Sequence, residues 1–138
     1  MRKIGLFAAT LAAVVAVAGA ASAAPNGTFT INNNSSDTVN RAANSFSSSS
    51  IPLSINASSS DIGFASTSGT MSGTVIYTNA AGIGCSFTTL VYLSGGSYTF
   101  SLSAAPYGAG STATCTYTTS YRNSSTGAFS ANWNMSGF

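Results

Sequence analysis

Of the chain's 138 residues only 4% are charged, and histidine is absent. Past residue 23 the charged side chains are Asp37, Arg41, Asp61 and Arg122, two of each sign, so that portion is neutral overall. Such a composition argues against nucleic-acid binding, which wants a basic surface. It also removes most of the side chains used for general acid–base catalysis.

The first 23 residues read as a secretory signal peptide. Met1-Arg2-Lys3 is a basic start, Ile4 to Ala20 is apolar, and Ala21-Ser22-Ala23 has the small-x-small form of a cleavage site. The apolar run is shorter than the roughly 20 residues a membrane span requires. Cleavage after Ala23 therefore leaves an exported chain without a transmembrane span. The alanine-rich style of the leader suggests a bacterium. Export places the protein outside the cell or at its surface.

Residues 24–50 form an Asn/Ser-rich arm. It holds one short strand, Thr28 to Ile31, and the run NNNSSDTVNRAANSFSSSS reads as loop or poorly ordered chain. Residues 51–138 hold the patterned strands: Pro52 to Ala57, Gly73 to Asn79, Cys85 to Leu93, Ser97 to Ser103, Thr112 to Arg122 and Gly127 to Ser136. Residues 24–138 are expected to make one domain. No segment after the leader has a helical apolar period, and no fixed-period repeat is present. The patterned Phe, Tyr, Val and Ile set the chain apart from disordered sequences, which lack them.

The run GCSFTTLVYLSGGSYTFSLS, residues 84 to 103, specifies a hairpin. A two-residue turn at Gly95-Gly96 puts Ser94 opposite Ser97, Leu93 opposite Tyr98, Val91 opposite Phe100 and Thr89 opposite Leu102. One face is then apolar and the other mostly hydroxylic, and a slip of one residue destroys the match. Cys85 lies on the apolar side. Cys115 shares its side with Tyr117 and Tyr121. Two cysteines in an exported chain are most simply one disulfide, closing a loop of about 30 residues and contributing about 3–4 kcal/mol. With no histidine and two cysteines, no zinc site is expected. The last strand alternates Phe129, Ala131, Trp133 and Met135 with Ser130, Asn132 and Asn134. The fold class is all-β, a small antiparallel β-sandwich with one intrachain disulfide.

No catalytic apparatus is expected. Asp37 and Asp61 sit in Ser/Asn-rich stretches, where aspartate serves turns and caps. The many Ser and Thr hydroxyls lack a base to activate them. Gly108-Ala109-Gly110 reads as a turn, not a phosphate cradle. The expectation is a non-enzyme without a cofactor or metal.

What remains is action by surface contact. Tyr92, Tyr107 and Tyr121 have the apolar body and polar tip suited to sugar rings or lipid interfaces, as does Trp133, whose expected place is the core. Thr112, Thr114, Thr116 and Thr118 form a regular hydroxyl row, of the kind that orders water on ice-binding surfaces and that also suits any exposed strand face. These residues are the candidate binding surface. Asn26, Asn33, Asn34, Asn56, Asn123 and Asn134 head glycosylation sequons of the sort an Asn/Ser-rich chain produces by chance. The terminal Phe138, after an alternating strand, matches the end of an outer-membrane barrel, but the long alternating strands are too few for one.

Two family resemblances follow. SSDIGFASTSGTMSGTVIYTN, residues 59 to 79, resembles aegerolysin-type sandwiches, in which a glycine-threonine turn leads into a strand. That resemblance implies lipid binding and participation in pores. The family's tryptophan-rich segments are missing, since Trp133 is the one tryptophan. The N-terminal GTFTI and the alternating strand from Gly127 resemble fimbrial subunits, which implies completion of one copy by a strand of the next. The cysteines sit later than in those subunits, and their terminal tyrosine pattern is absent.

The expected protein is thus secreted and non-enzymatic, acting at the cell surface or in the extracellular matrix by adhesion or self-assembly. Its partner is itself, as a homo-oligomer or fibre, or a surface glycan or lipid. The alternative is a lipid- or glycan-binding module, including the aegerolysin-like pore-forming type.

Overall fold

The computed structural model describes residues 23–138, so the leader read from the sequence lies outside the described residues, apart from its last residue, Ala23. The described chain contains ten strands and no helix. They are β1 (Asn26–Asn33), β2 (Val39–Asn44), β3 (Ser49–Ser50), β4 (Ser54–Ile55), β5 (Ser59–Ser66), β6 (Met71–Thr78), β7 (Gly84–Ser94), β8 (Ser97–Tyr107), β9 (Thr114–Arg122) and β10 (Ala128–Ser136). They make two five-stranded sheets, ordered β3-β5-β1-β10-β9 and β4-β2-β6-β7-β8. Every pairing is antiparallel except β1 with β10.

The two sheets pack through their alternating inner faces. β1 sends Phe29 and Ile31 inward, and β10 sends Phe129, Ala131, Trp133 and Met135. The second sheet answers with Val75, Tyr77, Cys85, Phe87 and Val91. Trp133 is the hinge of this core. Its ring lies parallel to Phe87 at 5.0 Å and tilted against Phe29 at 4.3 Å, so one side chain ties both sheets. Burying each large apolar side chain contributes about 1.5–3 kcal/mol. The Cys85–Cys115 disulfide crosses between the sheets, with Cα atoms 5.7 Å apart.

The hairpin forms in the register its sequence specifies: Ser94 opposite Ser97, Leu93 opposite Tyr98, Val91 opposite Phe100 and Thr89 opposite Leu102. Gly95 and Gly96 have φ of 58° and 84°, the left-handed pair that a tight hairpin turn needs. β8 runs on to Tyr107, four residues past the expected end. Leu93, expected on the apolar face, lies beyond the core at the hairpin tip and is 51% exposed.

The Asn/Ser-rich arm belongs to the sandwich. β1 spans Asn26–Asn33 and lies between β5 and β10, and the run read as loop contains β2 and β3. Val39 is fully buried at the head of β2. Asn33, also fully buried, shares its two Nδ2 hydrogens among the carbonyls of Asp37, Ile55 and Asn56, which lie 2.7, 3.1 and 3.1 Å away. The expected strand Pro52 to Ala57 shrinks to the two residues of β4, of which Ile55 reaches the core, while Ile51 reaches it from irregular chain just before. β5 was not expected. Its inward residues are the small Gly63 and Ala65, and its large Ile62 and Phe64 face solvent at 53% and 52% exposure. Gly63 leaves room for Ile51 and Ile31 beneath it. The apolar pattern of β5 therefore points away from the core.

Candidate functional site

Apart from Ile62 and Phe64 on β5, the outer face of the first sheet is a lattice of hydroxyls and amides across β1, β10 and β9. Register places Thr116 beside Asn134, Asn134 beside Asn32, and Asn32 beside Ser60. Asn32 Nδ2 donates to Asn134 Oδ1 at 2.9 Å, and Asn134 Nδ2 donates to Thr116 Oγ1 at 3.1 Å. Thr114, Thr116 and Thr118 are exposed on the outer face of β9. Thr112 precedes the strand and donates instead to the Gly137 carbonyl at 3.0 Å. The expected four-residue row is thus a three-residue row, and Thr116 is drawn into a cross-strand ladder.

The three candidate tyrosines are exposed but lie apart. Tyr92 and Tyr107 occupy the outer face of the second sheet at its two ends. Tyr92 pairs with Thr99 and Tyr107 with Gly84, so they stand roughly 27 Å apart along the strands. Tyr121 belongs to the other sheet, where its hydroxyl accepts from Asn123 Nδ2 at 3.2 Å. They do not converge on one compact site. Strand alternation marks Tyr92 as outward, and Tyr107 lies past the expected end of its strand. Tyr121, expected on the side of Cys115 and Tyr117, is instead turned outward, because the register of β9 against β10 shifts at Ser130/Ala131 and pairs Tyr121 with the outward Ser130.

β8 and β9 end their respective sheets and lie side by side along one flank of the sandwich. Half-buried Phe100, Leu102, Ala104 and Tyr117 fill the seam between them. Arg122 covers one end, its guanidinium 5.7 Å from the centre of the Phe100 ring. Because Ser94 and Ser97 form the hydrogen-bonded pair next to the turn, alternate residues of β8 aim their backbone groups outward. The outward N–H of Tyr98 donates to the Ser124 carbonyl at 2.7 Å. Those of Phe100, Leu102 and Ala104 find no partner among the described residues. Pro106, at the far end, has no N–H to offer.

Tyr117 bridges the sheets from within the seam. Its hydroxyl and the buried Thr89 Oγ1 are 2.7 Å apart. Burial pushes the Tyr117 phenol up to about 12, against the pull of Thr89 and of the nearby Trp133 N–H. That indole N–H itself has no acceptor in hydrogen-bond geometry. Burial also raises Tyr77, opposed by Arg41, and the Tyr77 hydroxyl donates to the Pro52 carbonyl at 2.6 Å.

The two aspartates have local structural partners. Asp37 Oδ2 accepts from Asn79 Nδ2 at 2.8 Å, and Asp61 Oδ1 accepts from the Ile62 N–H at 2.7 Å. Among the described residues no three His, Cys, Asp or Glu side chains gather in a way that holds a metal ion. No described helix is long and apolar enough to cross a membrane. β1, the strand that the fimbrial resemblance offers for donation, is hydrogen-bonded on both sides within its own chain. No protein-family model matches the chain, and no curated protein is significantly similar to it in sequence.

Proposed function

We propose that this is an exported, non-enzymatic protein that acts at the cell surface or in the extracellular matrix by associating with copies of itself. The observation that carries the reading is the free edge of β8. Edge strands are normally blunted by lysine or proline, by shortness, by a bulge or by a covering segment; on β8 these are confined to the two ends, Pro106 and the loop bonded to Tyr98. β8 has eleven residues, no charge and no register shift against β7. Its outward backbone groups at Phe100, Leu102 and Ala104 are available to a strand of a second copy. The neutral charge balance after residue 23 leaves little repulsion to keep copies apart. The flat hydroxyl and amide faces add many weak hydrogen bonds once copies touch.

Light scattering on the purified chain at neutral pH, with negative-stain images of the same sample, tests this. Large regular assemblies are expected. The paired substitutions Ser101→Lys and Ser103→Lys place charges on exposed positions of β8 without touching the core, and they are expected to return the protein to a monomer. A wild-type monomer refutes self-association. Assemblies that survive both lysines refute the β8 edge as their origin.

A further inference from the structure

We propose that a cleft on the outer face of the first sheet binds a neutral saccharide, with the Phe64 ring as its platform. The cleft encloses about 430 Å³ at the edge opposite the β8–β9 seam. That volume falls at the small end of ligand pockets, about 300–1,000 Å³, and suits one or two sugar rings. It is lined by β1, β5 and the chain at β3.

The inverted pattern of β5 builds the floor. Phe64 faces solvent at 52% exposure because Gly63 and Ala65 take the inward positions. In its cross-strand row Phe64 has Ser50 on one side and Thr28 on the other. Neighbouring strands lie about 4.8 Å apart, so hydroxyls flank the ring on both sides. Ser66 and Asn26 stand opposite each other in the next outward row, and Ser48 closes the rim through its carbonyl bond to the Ser66 N–H. The side chains of Asn26, Thr28, Ser48, Ser50 and Ser66 have no hydrogen-bond partner among the described residues. Ser49, by contrast, is engaged by Asn44 Nδ2.

The chemistry of this lining selects the ligand. An exposed aromatic ring meets the C–H face of a pyranose. The surrounding hydroxyls and the amide supply both donors and acceptors for ring hydroxyls. No charged residue lines the cleft, so it offers no counter-charge to a phosphate or carboxylate ligand. A lipid tail leaves the five polar side chains unpaired. A peptide strand finds the β5 edge beside Phe64 and Ala65 already taken by β3.

Saturation-transfer-difference NMR with maltose, cellobiose and lactose as probes tests the proposal, and it reads equally well on monomers and assemblies. Transfer to the C–H protons of one ring is expected for at least one probe. Phe64→Ala is expected to weaken that binding about tenfold, which is about 1.4 kcal/mol, the scale of one aromatic contact. Ser66→Leu, a surface change that leaves the ring in place, is expected to weaken it too, and Tyr92→Ala on the other sheet to leave it unchanged. Absence of transfer from all three probes overturns the proposal. So does transfer that persists unaltered in Phe64→Ala. Loss of assembly in Phe64→Ala without any sugar signal also overturns it and gives the cleft to a second copy. Self-association is read separately by light scattering, so the two proposals fail independently.

Discussion

Three identical neighbours, Asn32, Asn33 and Asn34, are expected to answer very differently to replacement by alanine. Asn33 shares the inward side of β1 with Phe29 and Ile31 and is fully buried. Its two Nδ2 hydrogens are shared among the Ile55, Asp37 and Asn56 carbonyls, and its Oδ1 accepts from the Ser35 N–H and hydroxyl at 3.1 and 2.6 Å. Truncation leaves the buried Ser35 N–H without its acceptor, at about 1–3 kcal/mol, while the Ile55 carbonyl keeps its place in the β2–β4 ladder opposite Val39. The Asp37 and Asn56 carbonyls are only partly buried and turn to water at small cost. The expected loss for Asn33→Ala is therefore about 1–3 kcal/mol. Asn32 makes one side-chain bond on the outer face, to Asn134, so Asn32→Ala is expected to cost about 1 kcal/mol or less. The Asn34 side chain is exposed, and its anchoring bond to the Met135 carbonyl comes from the backbone, so Asn34→Ala is expected within about 0.5 kcal/mol of wild type. Urea unfolding followed by Trp133 fluorescence measures all three, with an unchanged m-value as the check on two-state behaviour. Equal losses at the three positions, or a loss below about 1 kcal/mol for Asn33→Ala, refute the placement of Asn33 at the junction of the sheets.

Replacing both Cys85 and Cys115 by alanine opens a loop with a sequence separation of 30 and is expected to cost about 3–4 kcal/mol. For a domain of this size that lowers the melting temperature by about 15 °C, measured by calorimetry. Alkaline pH is expected to destabilise the fold, because it holds Tyr117 neutral up to about 12 while an unfolded tyrosine ionises near 10. The raised folded value means that the contribution is complete below about pH 10 and is lost as pH climbs toward about 12. Tyr77 is shifted in the same direction and adds to the loss. Unfolding free energies measured across that window are expected to fall by at least about 2 kcal/mol, and a flat profile contradicts the burial of both phenols.

The parts of the fold that the sequence discloses are those in which polarity alternates in the ordinary sense. Residues 84–103 combine a strict two-residue period with a glycine pair, so turn and register follow together. β10 is read for the same reason, and the cysteines fall on inward positions of facing strands. β2 escapes because its one deeply buried anchor, Val39, is set in a run of polar residues. β5 escapes because Gly63 and Ala65 carry the inward face, so the usual rule assigns Phe64 and Ile62 to the wrong side. The parallel partnership of β1 with β10 leaves no local trace at all, since alternation fixes a face but never a neighbour. The same gap separates the tyrosines. Tyr92 is legible as outward, whereas Tyr121 is turned outward by a register shift that alternation does not show, and the distribution of the tyrosines over two sheets depends on strand order.

The free β8 edge and the Phe64 cleft sit on opposite flanks of the sandwich, at the two ends of the strand orders. If copies associate through β8 as proposed, that contact leaves the cleft of each copy open, and the assembly presents more than one weak site. A single cleft of this size, with one aromatic ring and no charge, is expected to hold a disaccharide only weakly. Linked copies convert later contacts with a polymer into intramolecular ones, at effective concentrations that raise avidity by about 10²–10⁴ without any new contact. The paired Ser101→Lys and Ser103→Lys substitutions separate these contributions. They are expected to leave disaccharide binding in the NMR assay unchanged and to abolish retention of the protein on an insoluble glucan. Phe64→Ala is expected to lose both while still assembling. Retention that survives the lysines means that one cleft suffices and that assembly serves some other end. Retention lost together with disaccharide binding in the lysine variant means that the cleft is shaped by contacts between copies.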